Sequence, residues 1–264
     1  MAKFCCYITA ISLGALLCAS ASFAGQPLET ESARLLDKGR FTCESAFEYQ
    51  TSSEGRETAL PMLVEYGITH RLQLALEPVF GTDIHPKIGR RASGIGDLEA
   101  TLAYLIGSET RKRPAIALAA EVKLPTAKDR LIGTGKTDIA GYLIASRRFA
   151  KLDLHANIGY TVLGKPAGIA LNNIFSFALA GEYQVSPRWD WVGELFANTS
   201  AAPGLGEGGN TGGASAQTAE LAGGEAFGML GCRWRATAAI SVALGIVYDN
   251  NNAMLLRPGV TIRF

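Results

Sequence analysis

Most of the chain alternates between apolar and polar positions. From Met254 to Phe264 the even positions Met254, Leu256, Pro258, Val260, Ile262 and Phe264 are apolar, while the odd ones include Arg257, Thr261 and Arg263. Side chains on a strand point to opposite faces in turn, so this segment predicts a strand with one wholly apolar face and two arginines on the other. The same period recurs upstream. Phe41, Cys43, Phe47 and Tyr49 oppose Thr42, Glu44, Glu48 and Gln50; Leu60, Met62, Val64 and Tyr66 oppose Glu65; Leu72, Leu74, Leu76 and Phe80 oppose Arg71, Gln73 and Glu77. Leu98 to Ile106 alternates with Asp97, Glu99 and Thr101, Ile116 to Leu124 with Glu121 and Lys123, and Leu152 to Val162 with Asp153, His155 and Asn157. Asp138 to Arg147 is ambiguous, since either face could be the apolar one. Further strands are expected at Asn172 to Tyr183, Trp189 to Thr199, roughly Thr218 to Met229, and Ala238 to Tyr248.

Twelve strands result, each of about ten residues, the length of a tilted membrane strand. The pattern predicts an all-β fold, a transmembrane antiparallel up-and-down β-barrel over residues 40–264, with both termini periplasmic because the strand number is even. The connections 81–96, 125–135 and 200–216 are long and fall on the extracellular side, whereas G-I-T-H-R, R-F-A-K and Q-V-S-P-R are tight turns on the other; D-N-N-N at 249–252 is short and breaks the rule. Outward aromatic residues gather at strand ends, with Tyr49, Phe80, Tyr160 and Tyr248 toward one rim and Tyr66, Tyr104, Trp189 and Phe264 toward the other, as two interfacial girdles would. A soluble barrel would turn its apolar face inward around a ligand, but such barrels usually have about eight strands. Here nearly every strand carries a charge on its polar face, which suits a wet lumen inside a lipid-facing wall.

Composition adds targeting. The only long apolar run, Tyr7 to Ala24, follows Lys3 and ends in the small residues Ser22 and Ala24. It predicts a secretory signal over 1–24 cut before Gly25, with a membrane anchor or lipoprotein signal as weaker readings. Residues 25–39 are polar, fit neither period, and are expected to form a periplasmic leader. Losing Lys3 leaves 24 basic residues against 24 acidic ones. A neutral mature chain gives no support to nucleic-acid binding, which requires a basic surface. Of five cysteines only Cys43 and Cys232 lie outside the signal. They are expected two strands apart in the barrel, as free thiols.

The faces so assigned put Glu44, Glu48, Glu65, Glu77, Asp97, Glu99, Glu121, Asp153, Glu182, Asp190, Glu194 and Glu220 toward the lumen, with His155. Fewer bases join them: Arg71, Lys123, Arg257 and Arg263, with the faces of Lys136 and Arg148 left open. Antiparallel closure should bring Arg257 to Glu48 or Glu44. No pattern calls for a cofactor, a metal or a catalytic group. G-T-G-K-T at 133–137 resembles the end of a phosphate-binding loop, but Arg130 stands where that loop needs its first glycine, and no helix is expected after it. His155 could polarise a serine, yet it lies on the lumen face and no G-x-S-x-G elbow exists.

Two resemblances sharpen this reading. Bacterial outer-membrane barrels end as this chain does, on an outward aromatic residue, which implies that Phe264 belongs to the signal read by the barrel-assembly machinery. The segments E-Y-G-I-T-H-R-L-Q-L-A-L-E (65–77), G-I-G-D-L-E-A-T-L-A-Y (94–104), E-V-K-L-P-T (121–126), G-T-G-K-T-D-I (133–139) and L-H-A-N-I-G-Y-T (154–161) stand in an order similar to the outer-membrane barrel family labelled for a MetA pathway of phenol degradation. One departure is Ala127, where members often have Gly. The resemblance implies a Gram-negative outer-membrane location, contact with outer-membrane lipid, and passive transport of small-molecule solutes, including aromatic or hydrophobic compounds. It supplies no catalytic residue. A barrel with a plugged lumen and an outer-membrane lipid-modifying enzyme are the alternatives.

Overall fold

The computed structural model describes residues 25–166, 170–201 and 224–264. The expected signal at 1–24, the lumen candidate Glu220 and the start of the strand expected from Thr218 lie outside the described residues. The strands are β1 (Phe41–Ala46), β2 (Glu48–Thr51), β3 (Gly55–Thr69), β4 (Leu72–Pro86), β5 (Ala92–Gly94), β6 (Leu98–Gly107), β7 (Ala115–Leu124), β8 (Asp138–Phe149), β9 (Leu152–Val162), β10 (Ile174–Ser186), β11 (Trp189–Asn198), β12 (Ala226–Arg235), β13 (Ile240–Asp249) and β14 (Met254–Arg263). Each stave pairs antiparallel with its neighbours, and β14 returns to β1 and β2, so the sheet closes on itself.

The barrel has twelve staves, because β1 and β2 form one broken strand and β5 is an extra hairpin arm on β4. The break lies opposite Pro258, whose carbonyl accepts the Phe47 N–H at 2.9 Å but which has no N–H to return. Closure leaves no free edge among the twelve staves, which matters in lipid, where no water can satisfy an unpaired backbone group. The outer wall is apolar: Leu102, Leu118, Leu143, Ile158, Phe177, Leu195, Leu230 and Leu244 all stand exposed. All eight of the aromatic residues assigned to the rims also face outward.

Four expectations need correction. The tenth stave is β12, which starts at Ala226 and continues to Arg235 rather than ending at Met229. Cys232 therefore sits on that stave, three strands from Cys43, with β13 and β14 between; both thiols are free. The connection after the third stave is shorter than expected, because β4 runs on to Pro86 against a β3 that begins at Gly55. Finally, the segment expected as a periplasmic leader is inside the barrel.

Candidate functional site: an acid-lined chamber floored by the N-terminal segment

Residues 25–38 cross the lumen, and wall side chains take up their backbone groups. Gln26 N–H donates to Glu44 Oε2 at 2.9 Å, Glu29 N–H and Thr30 N–H to the Glu194 carboxylate at 3.1 and 2.6 Å, Ala33 N–H to Ser146 Oγ at 2.8 Å, and Leu36 N–H to Gln73 Oε1 at 2.7 Å. The Asn157 carboxamide, oriented to satisfy both groups, accepts the Glu31 N–H at 2.7 Å and donates to the Glu31 carbonyl at 3.0 Å. A non-strand segment away from bulk water needs such partners, since each unpaired peptide group would cost free energy comparable to a lost hydrogen bond.

Apolar contacts add to these. Leu28 buries against Val192, Phe227, Met229 and Val247, and Ala33 against Ala103, Ala117 and Ile144. Burying a leucine contributes roughly 1.5–3 kcal/mol. Pro27 rests on the wall at Gly245, where a Cβ would stand 2.8 Å from the proline's own. At the exit, Gly67 lets the segment return to β1: a Cβ there would lie 2.2 Å from the Asp37 carbonyl.

Above this floor lies a cavity of about 480 Å³, reaching up to Leu163, Asn198 and Glu225 near the loop ends of the strands. Glu29, Glu31, Glu44, Glu48, Glu77, Glu99, Glu121, Lys123, Asp138 and Arg257 line it together with Leu63, Ile174 and Phe196. Its cations are committed. Lys123 Nζ lies 2.6 Å from Asp138 and 3.5 Å from Asp97, and Arg257 pairs with Glu29 and, at 2.9 Å, with Glu48. The contact of Arg257 with Glu48 is the one antiparallel closure required. Glu77 and Glu99, by contrast, are direct cross-strand partners. Like charges so placed destabilise a sheet. Tyr142 donates to Glu121 at 3.3 Å.

The remaining sequence candidates lie at other levels of the inner wall. Asp153 holds Arg34 at 2.7 Å and Arg148 at 2.6 Å, Glu182 holds Arg233 at 2.5 Å, and Asp190 holds Arg235. Glu65 accepts from Gln73 at 2.6 Å and Thr42 at 2.7 Å. Arg71, expected on the lumen face, is exposed in the turn after β3. His155 is fully buried, with Nδ1 2.8 Å from Ser146 Oγ and Nε2 3.5 Å from Glu182. That trio faces inward beneath Ala33, and the serine oxygen already accepts the Ala33 N–H. Sequence reasoning missed Arg34, Arg233 and Arg235. The alternation M-L-G-C-R-W-R at 229–235 carries the signal for the latter two; nothing periodic marks Arg34.

Off the strands, three described carboxyls are shifted; that of Asp129, in the connection after β7, is lowered by the hydrogen bonds from the Arg90 guanidinium. Enclosure raises the Glu31 carboxyl well above the usual range, and the carboxylates of Glu65, Glu44, Glu77 and Glu121 push it the same way. Glu31 is exposed, but into the chamber rather than onto the outer surface, so the barrel wall around it moderates its solvation and the upward shift is smaller than full burial would give. Glu109 goes the other way: partial burial raises it, but the Arg148 N–H and the Arg34 guanidinium outweigh that and hold it below its ordinary value.

The family described as "Putative MetA-pathway of phenol degradation" matches residues 24–224. Among solved structures, the fold is similar to the NanC porin (TM-score 0.56, 10% identity, covering 84% of this chain and 100% of that one). It is also similar to the KdgM porin in complex with disordered oligogalacturonate (TM-score 0.53, 8% identity, 84% and 99%). No curated protein sequence matches the chain.

Proposed function

We propose, because the chain belongs to the family described as a MetA pathway of phenol degradation, that it is an outer-membrane channel for small solutes, held closed by its own N-terminal segment. The chamber carries this reading: a wet, charged space inside a barrel with an apolar outer wall, floored by residues 25–36. Outer-membrane lipid and the barrel-assembly machinery are the partners it implies. Twelve staves stand between side-chain-filled barrels of eight and open porins of sixteen, so a mobile segment inside suffices to decide whether the pore conducts.

The wall limits the solute. Carboxylates along β4, β6 and β7 share the chamber with Leu63, Ile174 and Phe196, a combination that suits neutral aromatic molecules and cations. The KdgM porin was solved with oligogalacturonate, a polyanion. The acidic wall here disfavours such a ligand, because low-dielectric walls focus the field of fixed charges. A permanently plugged barrel is the second reading, favoured by how fully the segment's backbone is bonded. A lipid-modifying enzyme is disfavoured, because Ser146 and His155 face away from the lipid-facing wall.

A reversible lock tests the proposal. Ser32 Oγ and Ser146 Oγ lie 3.4 Å apart, close enough for a disulfide between cysteines at these sites. In a Cys43→Ala/Cys232→Ala background, Ser32→Cys/Ser146→Cys should be silent in planar bilayers when oxidised and conduct after reduction. Deleting residues 25–36 should raise conductance further. A folded barrel that stays silent in both cases is permanently closed, and the channel reading fails.

A further inference from the structure

We infer that Glu44 is the docking site for the α-ammonium group of the mature chain, created at Gly25 when residues 1–24 are removed. Hydrolysis of the Ala24–Gly25 peptide bond by a signal peptidase consumes one water and leaves a carboxylate on Ala24 and an amine on Gly25. That amine takes a proton near neutral pH, and an ammonium inside the barrel needs a partner, since an unpaired buried charge is costly.

The partner is in place. Glu44 is 4% exposed on the inner face of β1, and its carboxylate already accepts the Gln26 N–H at 2.9 Å. A Cβ built on Gly25 would stand 2.7 and 3.1 Å from the two Glu44 oxygens. The Gly25 nitrogen is about 2.5 Å from that position by covalent geometry, hence within about 5 Å of the carboxylate. Freed from Ala24, it is a chain end, and rotation about the Gly25 Cα–C bond swings it into hydrogen-bonding range. The other end of the residue is fixed: Arg233 Nη2 donates to the Gly25 carbonyl at 2.6 Å, and Arg233 Nε to the Gln26 carbonyl at 2.9 Å. Arg233 is itself committed to Glu182; Thr261 hydrogen-bonds to Glu44 and the Arg233 and Arg263 charges attract it from further off, but among the described residues no side-chain cation lies within 4.0 Å of its carboxylate.

Processing and closure are therefore coupled. The α-ammonium clamps the tip of the segment, and the contacts of residues 26–36 follow along the wall. The inference rests on the reading of residues 1–24 as a removed signal, and not on whether the barrel conducts.

Acylation of the folded mature protein in detergent tests it. Trypsin releases Gly25–Arg34, a peptide without lysine, so label on it reports the α-amine alone. Only the neutral amine reacts, and an ion pair that raises its pKa by one unit slows labelling roughly tenfold near neutral pH. The native protein should label about tenfold more slowly than Glu44→Gln, and than a variant with one serine inserted before Gly25 that keeps Glu44. Should Glu44→Gln not fold, the insertion variant decides. Equal rates in the folded proteins, or a mature chain that begins elsewhere than Gly25, overturn the inference. A protected amine on a barrel that never conducts would sink the channel and leave the latch standing.

Discussion

Arg257 joins three parts of the molecule: it projects from β14, pairs with Glu48 across the closure seam, and pairs with Glu29 of the segment inside. At 5% exposure it has little water to fall back on. Arg257→Ala strips two carboxylates at once, and should lower thermal stability by about 3 kcal/mol, the low end for breaking a buried ion pair. Arg263→Ala, half-buried at the far end of the same strand, should cost clearly less. Equal shifts in the heat-modifiable transition of the two variants would refute this ranking. Phe264 closes the seam below, its N–H donating to the Phe41 carbonyl at 3.0 Å and its ring stacked on Phe41 at 4.2 Å. Its deletion should deplete the barrel from outer-membrane fractions while the strands stay able to pair; normal levels would remove Phe264 from the assembly signal. Arg257, Glu48 and Phe264 were legible in the sequence because strict alternation fixes both face and register. Arg34 was not, since no period runs through residues 25–38 and its partners Asp153 and Glu109 lie far along the chain.

Among the elements, the two with ambiguous patterns, β8 and β12, both lie against the N-terminal segment. Asp138 to Arg147 has two apolar faces because Ala140 and Ile144 on β8 lie on the inner wall, Ile144 packed with Ala33. Phe227 and Met229 on β12 likewise face inward onto Leu28, which obscured where that strand begins. A rule that assigns apolar residues to lipid must fail wherever a lumen has an apolar occupant of its own. The occupant should also respond to pH through Glu31. Its carboxyl titrates well above 4.5 when the segment is seated, so the seated form holds its proton longer than the released form. Seating is therefore favoured at low pH and weakens as pH rises from about 4.5 through the raised value. Open probability in bilayers should climb over that window, and Glu31→Gln should flatten the climb. Parallel curves for the two proteins would show that Glu31 takes no part in seating.

At the scale of the whole molecule, the division of charge decides what an open pore would carry. The lumen holds more bases than alternation alone revealed, since Arg34, Arg233 and Arg235 point inward, as does Arg148, whose face the alternation left open. They gather at the end that bears Phe264, and are matched there by Glu109, Asp153, Glu182 and Asp190. Toward the loops the balance changes. Glu77, Glu99 and Glu121 line adjacent staves of the chamber, where Lys123 and Arg257 are already paired with acids. Releasing the segment would remove Arg34 from Asp153, which keeps Arg148, and the backbone donors from Glu194, adding one more uncompensated carboxylate to the path. The conducting barrel should thus prefer cations, and the preference should fade as rising salt shortens the screening length from about 10 Å at 0.1 M to about 3 Å at 1 M. A reversal potential measured under a salt gradient on the reduced Ser32→Cys/Ser146→Cys protein reads this directly. Replacing Glu77 and Glu99 by glutamine should reduce the preference and relieve the repulsion between the two strands. Anion preference would mean that the arginines at the terminal end, and not the chamber's carboxylates, set the narrowest part of the path.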